Sequence, residues 1–96
     1  MSTLTVVAKI VAKNDSLEIV KSELRKLVAP SRKEDGCIYY CLHQDSEDPC
    51  VFIFYETWES LDHLQRHTNT DHYMACLQAV GDKVSEKTVH KMTRIE

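Results

Sequence analysis

The sequence predicts an α+β domain of ferredoxin-like type, β-α-β-β-α-β, with one four-stranded antiparallel sheet and the helical regions on one of its faces. Three observations carry this prediction. Stretches with strand-like alternation and stretches with helical spacing follow one another in the order that the fold requires. A short polar loop, Gln44 to Pro49, separates two strand-like runs and predicts an antiparallel hairpin. The length of 96 residues leaves room for one core, so residues 1–96 are expected to form a single domain.

Each element has its own grounds. From Leu4 to Lys13, residues Leu4, Val6, Ala8, Ile10 and Ala12 share one parity, while Lys9 and Lys13 take the other, which predicts a strand. Asn14-Asp15-Ser16 breaks it, and Asp15 with Glu18 has capping-box spacing. Leu17, Val20, Leu24, Leu27 and Val28 then recur at helical spacing, and that helix is expected to end or kink near Pro30. Glu34-Asp35-Gly36 reads as a turn. Cys37 to His43 and Cys50 to Trp58 are rich in aromatic and β-branched residues and read as strands. Ser60 is a suitable N-cap for a second helical region, which Thr68-Asn69-Thr70-Asp71 interrupts. Asn69 or Thr70 can cap the following piece, with Tyr73, Met74, Leu77 and Val80, and Gly81 is expected to stop it. Val84 to Ile95 is the last strand, with the weakest alternation.

The third strand breaks the usual rule of one wet face. Val51, Ile53 and Tyr55 point one way, and Phe52, Phe54 and Trp58 point the other. Helices can cover one of these faces, and a second copy of the chain is the economical cover for the other. A homodimer packed sheet to sheet follows as an expectation.

Composition narrows the function classes. Apolar residues at 43% and charged residues at 28% fit a globular chain rather than a disordered one. A net charge of −3 argues against nucleic-acid binding, which needs a basic patch. No apolar run approaches the ~20 residues of a membrane helix. Met1-Ser2-Thr3-Leu4 lacks the charged and apolar regions of a signal peptide, so a cytoplasmic protein is expected. Cys37, Cys41, Cys50 and Cys76 contain no C-x-x-C pair and are expected to be reduced thiols in packing roles.

The residues able to carry chemistry concentrate between Phe54 and Tyr73. Glu56 and Trp58 share the strand face of Phe52 and Phe54, and a carboxylate on an apolar face needs a partner. That partner could equally be a structural ion pair or cap tying strand to helix. His63 and His67 share a helix face, yet Leu64 stands where an H-E-x-x-H zinc motif has its glutamate. His63, His67, Asp71 and His72 are therefore not expected to bind a metal. His67 and His72 bracket the helix break, where a pocket could open and a neutral imidazole could accept a proton. Helix-end packing is the alternative. There is no G-x-G-x-x-G, no P-loop and no G-x-S-x-G, so neither a nucleotide-type cofactor nor a hydrolase elbow is expected.

Leu4 to Ala8, Glu34 to Tyr40, Leu42 to Asp45, Phe54 to Ser60, Leu64 to His67 and Thr70 to Tyr73 together resemble the antibiotic biosynthesis monooxygenase (ABM) family, in the family's order and over nearly the whole chain. The resemblance implies a dimeric α+β barrel of ferredoxin-like subunits. It also implies an oxygenase that works without metal or nucleotide cofactor on a small aromatic quinol or phenol and O2. In that reading the protein binds and shields the phenolate, which supplies electrons to oxygen. By position, Phe54, Glu56 and Trp58 would line the sheet side of the pocket, and His63, His67, His72 and Tyr73 the helix side. His67, His72 and Glu56 would be the catalytic groups, with a histidine as the base. Phe54, Trp58, His63 and Tyr73 would bind substrate. Enzymes that process a small signalling metabolite, and a non-catalytic ligand-binding domain, are the alternatives. The haem-degrading branch resembles the chain less: its first-strand asparagine and helical tryptophan are missing, and Leu77 falls where its histidine ligand would be.

Overall fold

The computed structural model describes residues 3–96; Met1 and Ser2, part of the opening read above for a leader, lie outside it. The elements run β1 (Leu4–Ala12), a 3-10 turn (Asn14–Ser16), α1 (Leu17–Arg32), β2 (Cys37–Gln44), β3 (Val51–Trp58), α2 (Leu61–His67), α3 (Asp71–Val80) and β4 (Val84–Met92). The strands form one antiparallel sheet in the order β2-β3-β1-β4. This is the ferredoxin-like arrangement, with the second helical region split in two. No helix among the described residues is long and apolar enough to cross a membrane.

Alternation decides which side chains face the helices. Val6, Ala8 and Ile10 on β1 pair with Glu56, Phe54 and Phe52 on β3, and all six are buried. Val20, Leu24 and Leu27 from α1 and Cys76 and Val80 from α3 close the core over them. Full burial of such aliphatic and aromatic side chains contributes about 1.5–3 kcal/mol each before entropy is counted. The opposite face keeps Tyr39 and Tyr55 exposed, in edge contact at 5.6 Å between ring centroids. The chain's own helices leave that face uncovered.

Element ends depart from the sequence pattern where tertiary contacts intervene. The Asp15/Glu18 capping box does not form: Ser16 is the N-cap residue of α1 without a side-chain bond, and Asp15 accepts the Ser16 hydroxyl instead. Helix α1 ends near Pro30, as expected, with its last turn running on to Arg32. Proline there forgoes one hydrogen bond near the helix end. The last turn is held from outside, by Arg32 Nε donating to Tyr40 O at 2.9 Å. Gly81 closes α3 in right-handed geometry (φ −52°), so a turn from Val80 to Lys83 ends the helix rather than a left-handed glycine. Strand β4 stops at Met92, short of Ile95, because its partner there is Thr5 and β1 begins at Leu4. The Ser60 and Thr70 caps form as expected, accepting from the amides of His63 and Tyr73.

Gly36 fixes the turn between α1 and β2. Its φ of +81° lies in the region that L side chains avoid. A Cβ there would also fall 2.2 Å from Cδ2 and 2.8 Å from Cβ of His63. Gly36→Ala is therefore expected to lose about 2 kcal/mol or more. Urea unfolding with linear extrapolation measures this, and a loss below about 0.5 kcal/mol would contradict it.

Candidate active site

An apolar cavity of about 270 Å³ opens between the inner face of the sheet and the helices. Its wall includes Leu24 and Leu27 of α1, Tyr40 and Phe54 of the sheet, and Tyr73 and Val80 of α3. Glu56 is the one acidic group there with a buried side chain. Alternation along β3 puts Glu56 under the helices with Phe54 and Trp58, opposite Val6 and Tyr40 in the neighbouring strands.

Glu56 has one hydrogen-bond partner among the described residues. Trp58 Nε1 donates to its Oε1 at 2.9 Å. Burial disfavours the charged form and pushes the carboxyl up to about 7. The Trp58 bond opposes that shift, the negative charge of Glu34 adds to it, and the Lys87 charge opposes it weakly. A carboxyl poised near neutrality can take or give a proton at ordinary pH. Tyr40, by contrast, is held neutral: burial drives its hydroxyl well above the ordinary phenol value.

Behind this wall lies a second polar group. Glu34 Oε2 accepts from His67 Nδ1 at 2.7 Å and from His72 Nε2 at 2.6 Å. The break between α2 and α3 makes this possible, because it swings the two imidazoles toward one another, 6.2 Å apart at their centroids. His67 is 1% exposed and is packed against Trp58, Tyr73 and Tyr40 at centroid distances of 4.7, 5.0 and 5.4 Å. Burial lowers its pKa, the Glu34 bond and charge oppose this, the His72 charge aids it, and the net shift is downward, which favours the neutral ring. With the proton on Nδ1, its Nε2 is a bare lone pair, and among the described residues that nitrogen has no partner.

The expected site residues thus fall into four places. Phe54, Glu56 and Tyr73 line the cavity. Trp58 and His67 are fully buried beside it and reach it only through Glu56 and Tyr73. His72 is tied to Glu34. His63 stands apart: its Nδ1 is 2.7 Å from the Ser60 hydroxyl and its Nε2 is 3.5 Å from Asp35. Of the four-residue cluster considered from spacing, only His67 and His72 come together, and the third donor is Glu34. These three offer donor atoms within 4.8 Å of one another, a set with metal-ligating chemistry. Here both imidazoles meet the same carboxylate oxygen at hydrogen-bond distance.

Glu34 is the site residue that sequence reasoning missed, since it reads as part of a turn. Its partners lie 33 and 38 positions away, and no local signal links them. The usable hint was the pair of histidines, each of which needs a partner if buried. Lys87, on the cavity rim, was missed for a similar reason, because it belongs to the strand with the poorest alternation.

Similar proteins agree with this architecture. A family model described as antibiotic biosynthesis monooxygenase matches residues 3–79. The chain is 31% identical over 96 residues to a protein of Escherichia coli K12 named "Probable quinol monooxygenase YgiN", with 90% of this chain and 92% of that one covered. It is 26% identical over 92 residues to the uncharacterized protein sll1783 of Synechocystis; this covers 96% of the chain but 63% of that relative. The crystal structure of PA3566 from Pseudomonas aeruginosa matches with a TM-score of 0.96 and 35% identity, over 100% of this chain and 97% of that one. A family match over most of the chain, on a fold shared with a relative above 30% identity, has one reading: the chain belongs to the antibiotic biosynthesis monooxygenase family.

Proposed function

We propose that the protein is a monooxygenase that inserts oxygen from O2 into a small hydroquinone or phenol without metal, flavin or nucleotide. The observation that carries this reading is the apolar cavity with a single buried carboxyl on its wall, held near pH 7. A flat aromatic ring suits such walls. A hydroquinone and one O2 yield a hydroxyquinone and one water, so the substrate itself supplies every electron. The protein must take a proton from the ring hydroxyl, exclude water and stabilise the developing charge.

Glu56 is the better base than either histidine. It reaches the cavity, whereas His72 is engaged with Glu34 and the free nitrogen of His67 is shut behind Tyr73 and Tyr40. In this reading Trp58 holds Glu56 by its indole N–H. Glu34, His67 and His72 form a brace that positions Trp58 and Tyr73, while Phe54 and Tyr73 offer ring surface. His63 steadies the start of α2 through Ser60. Four free cysteines suit a reducing compartment such as the cytoplasm. The test is oxygen uptake by the chelator-treated protein with a panel of hydroquinones and phenols. No uptake with any of them, at protein concentrations that would reveal a slow enzyme, would count against the assignment.

The working form in this proposal is a homodimer with the two outer sheet faces in contact. Tyr39 and Tyr55 are 46% and 43% exposed on that face, and rings of this kind favour a covered position. Sedimentation velocity at micromolar concentration should give the mass of two chains. A monomer mass would refute the dimer and leave the cavity chemistry to be tested separately.

A further inference from the structure

The cavity has a charged rim that the oxidation above does not use. Lys87 lies opposite Ile10 on β4, on the strand face turned toward the helices, and lines the cavity. It donates from Nζ to the Tyr73 hydroxyl at 3.3 Å and stands 5.5 Å from the centroid of that ring. Among the described residues no carboxylate lies within ion-pair distance of it. The adjacent Glu86 is paired instead with Lys9 at 3.5 Å. Among the described residues its side chain makes one hydrogen bond, to that hydroxyl, and its charge is felt at Glu56 across the cavity.

This makes the cavity bipolar. At the β4 rim there are two donors: the Lys87 ammonium, and the Tyr73 hydroxyl, whose own proton is free because its oxygen accepts from Lys87. At the sheet wall stands the one buried carboxyl of the lining, Glu56, while Glu86 on the rim is turned to Lys9. A ligand anion is attracted to the first end and repelled from the second. A neutral hydroquinone uses only half of this arrangement. A phenol that bears a carboxylate at its far end uses all of it and can enter in one orientation only.

Resting on the phenol-oxidising reading of this cavity, we propose that Lys87, with the Tyr73 hydroxyl, is a specificity-determining residue that selects aromatic hydroxy acids. The carboxylate sits on the Lys87 ammonium at the β4 rim, and the phenolic hydroxyl faces Glu56. Lys87 is exposed, so the gain over a neutral ring is that of a partly screened pair, roughly fivefold in affinity.

Two fluorescent probes test this, 2-naphthol and 6-hydroxy-2-naphthoate, which differ in one carboxylate at the far end of the ring. Titration of the whole protein should show the acid binding roughly fivefold more tightly, with the preference shrinking at high salt. Lys87→Gln should bring the two affinities level or reverse them, and Lys87→Arg should keep the preference. Equal binding by the wild type, or a preference that survives Lys87→Gln, would overturn the role of Lys87. If 2-naphthol still binds and hydroquinones are still oxidised, that failure belongs to Lys87 alone. If neither probe binds, the aromatic pocket and the Lys87 proposal fall together.

Discussion

Glu56→Gln is expected to lower oxygen uptake on a hydroquinone by about 10²–10⁴-fold, the usual cost of losing one positioned base. In the wild type kcat/KM should rise through about pH 7 and then level off, because the base must be ionised and its carboxyl is held near that value by burial. The same substitution should stabilise the fold above neutral pH. The ordinary glutamate value is 4.5, and burial raises it to about 7 in the folded chain. Below about pH 4.5 both states carry the proton and the shift costs nothing. As pH rises the unfolded chain ionises first, so stability falls until about pH 7, where the folded group ionises as well. The full span amounts to about 3 kcal/mol. Glutamine cannot ionise, so at pH 8 the variant should be about 1–3 kcal/mol more stable than the wild type. Denaturant titration at pH 5 and pH 8 reads this directly. A variant that is no more stable at pH 8, or that retains full uptake, would remove Glu56 from the role of base.

Trp58→Ala is expected to cost about 3–5 kcal/mol, since the side chain is wholly buried and packs on both Tyr40 and His67. Such a loss could unfold the protein, so Trp58→Phe is the informative companion. Phenylalanine keeps most of the ring but has no N–H for Glu56 Oε1. That bond favours the charged carboxylate, and its loss raises the carboxyl further. The rising limb of the pH profile should therefore move to higher pH in Trp58→Phe. An unmoved profile with intact fold would show that the indole N–H does not govern the base.

The fold was legible in the sequence because a strand states its faces every second residue. The alternation from Leu4 to Ala12 and from Phe52 to Trp58 names the buried row correctly, and Glu56 is conspicuous because it interrupts that row. Helix ends were less legible. How far α1 runs past Pro30 depends on Arg32 reaching a carbonyl in β2, and whether Asp15 caps it depends on the 3-10 turn before it. The brace around Glu34 was not legible, since a hydrogen bond between distant segments leaves no periodic trace. His63 shows how little spacing says about a side chain's partners. Spacing puts it on one face with His67, but it sits in the first turn of a short helix, where the N-cap Ser60 engages it.

The sheet order has a consequence for how the chain is made. Strand β1 is the first of the four strands to be synthesised and one of the two central ones, with β3 on one side and β4 on the other. Thr5 pairs with Met92, so the second edge of β1 stays open until β4, residues 84–92, has been made. Closure over that separation is entropically slow, and it sets a folding rate governed by long-range pairing rather than by helix formation. Until β4 docks, the apolar row of β1 has only one neighbour, and Lys9 and Lys13 are the charges in that stretch that discourage pairing with another nascent chain.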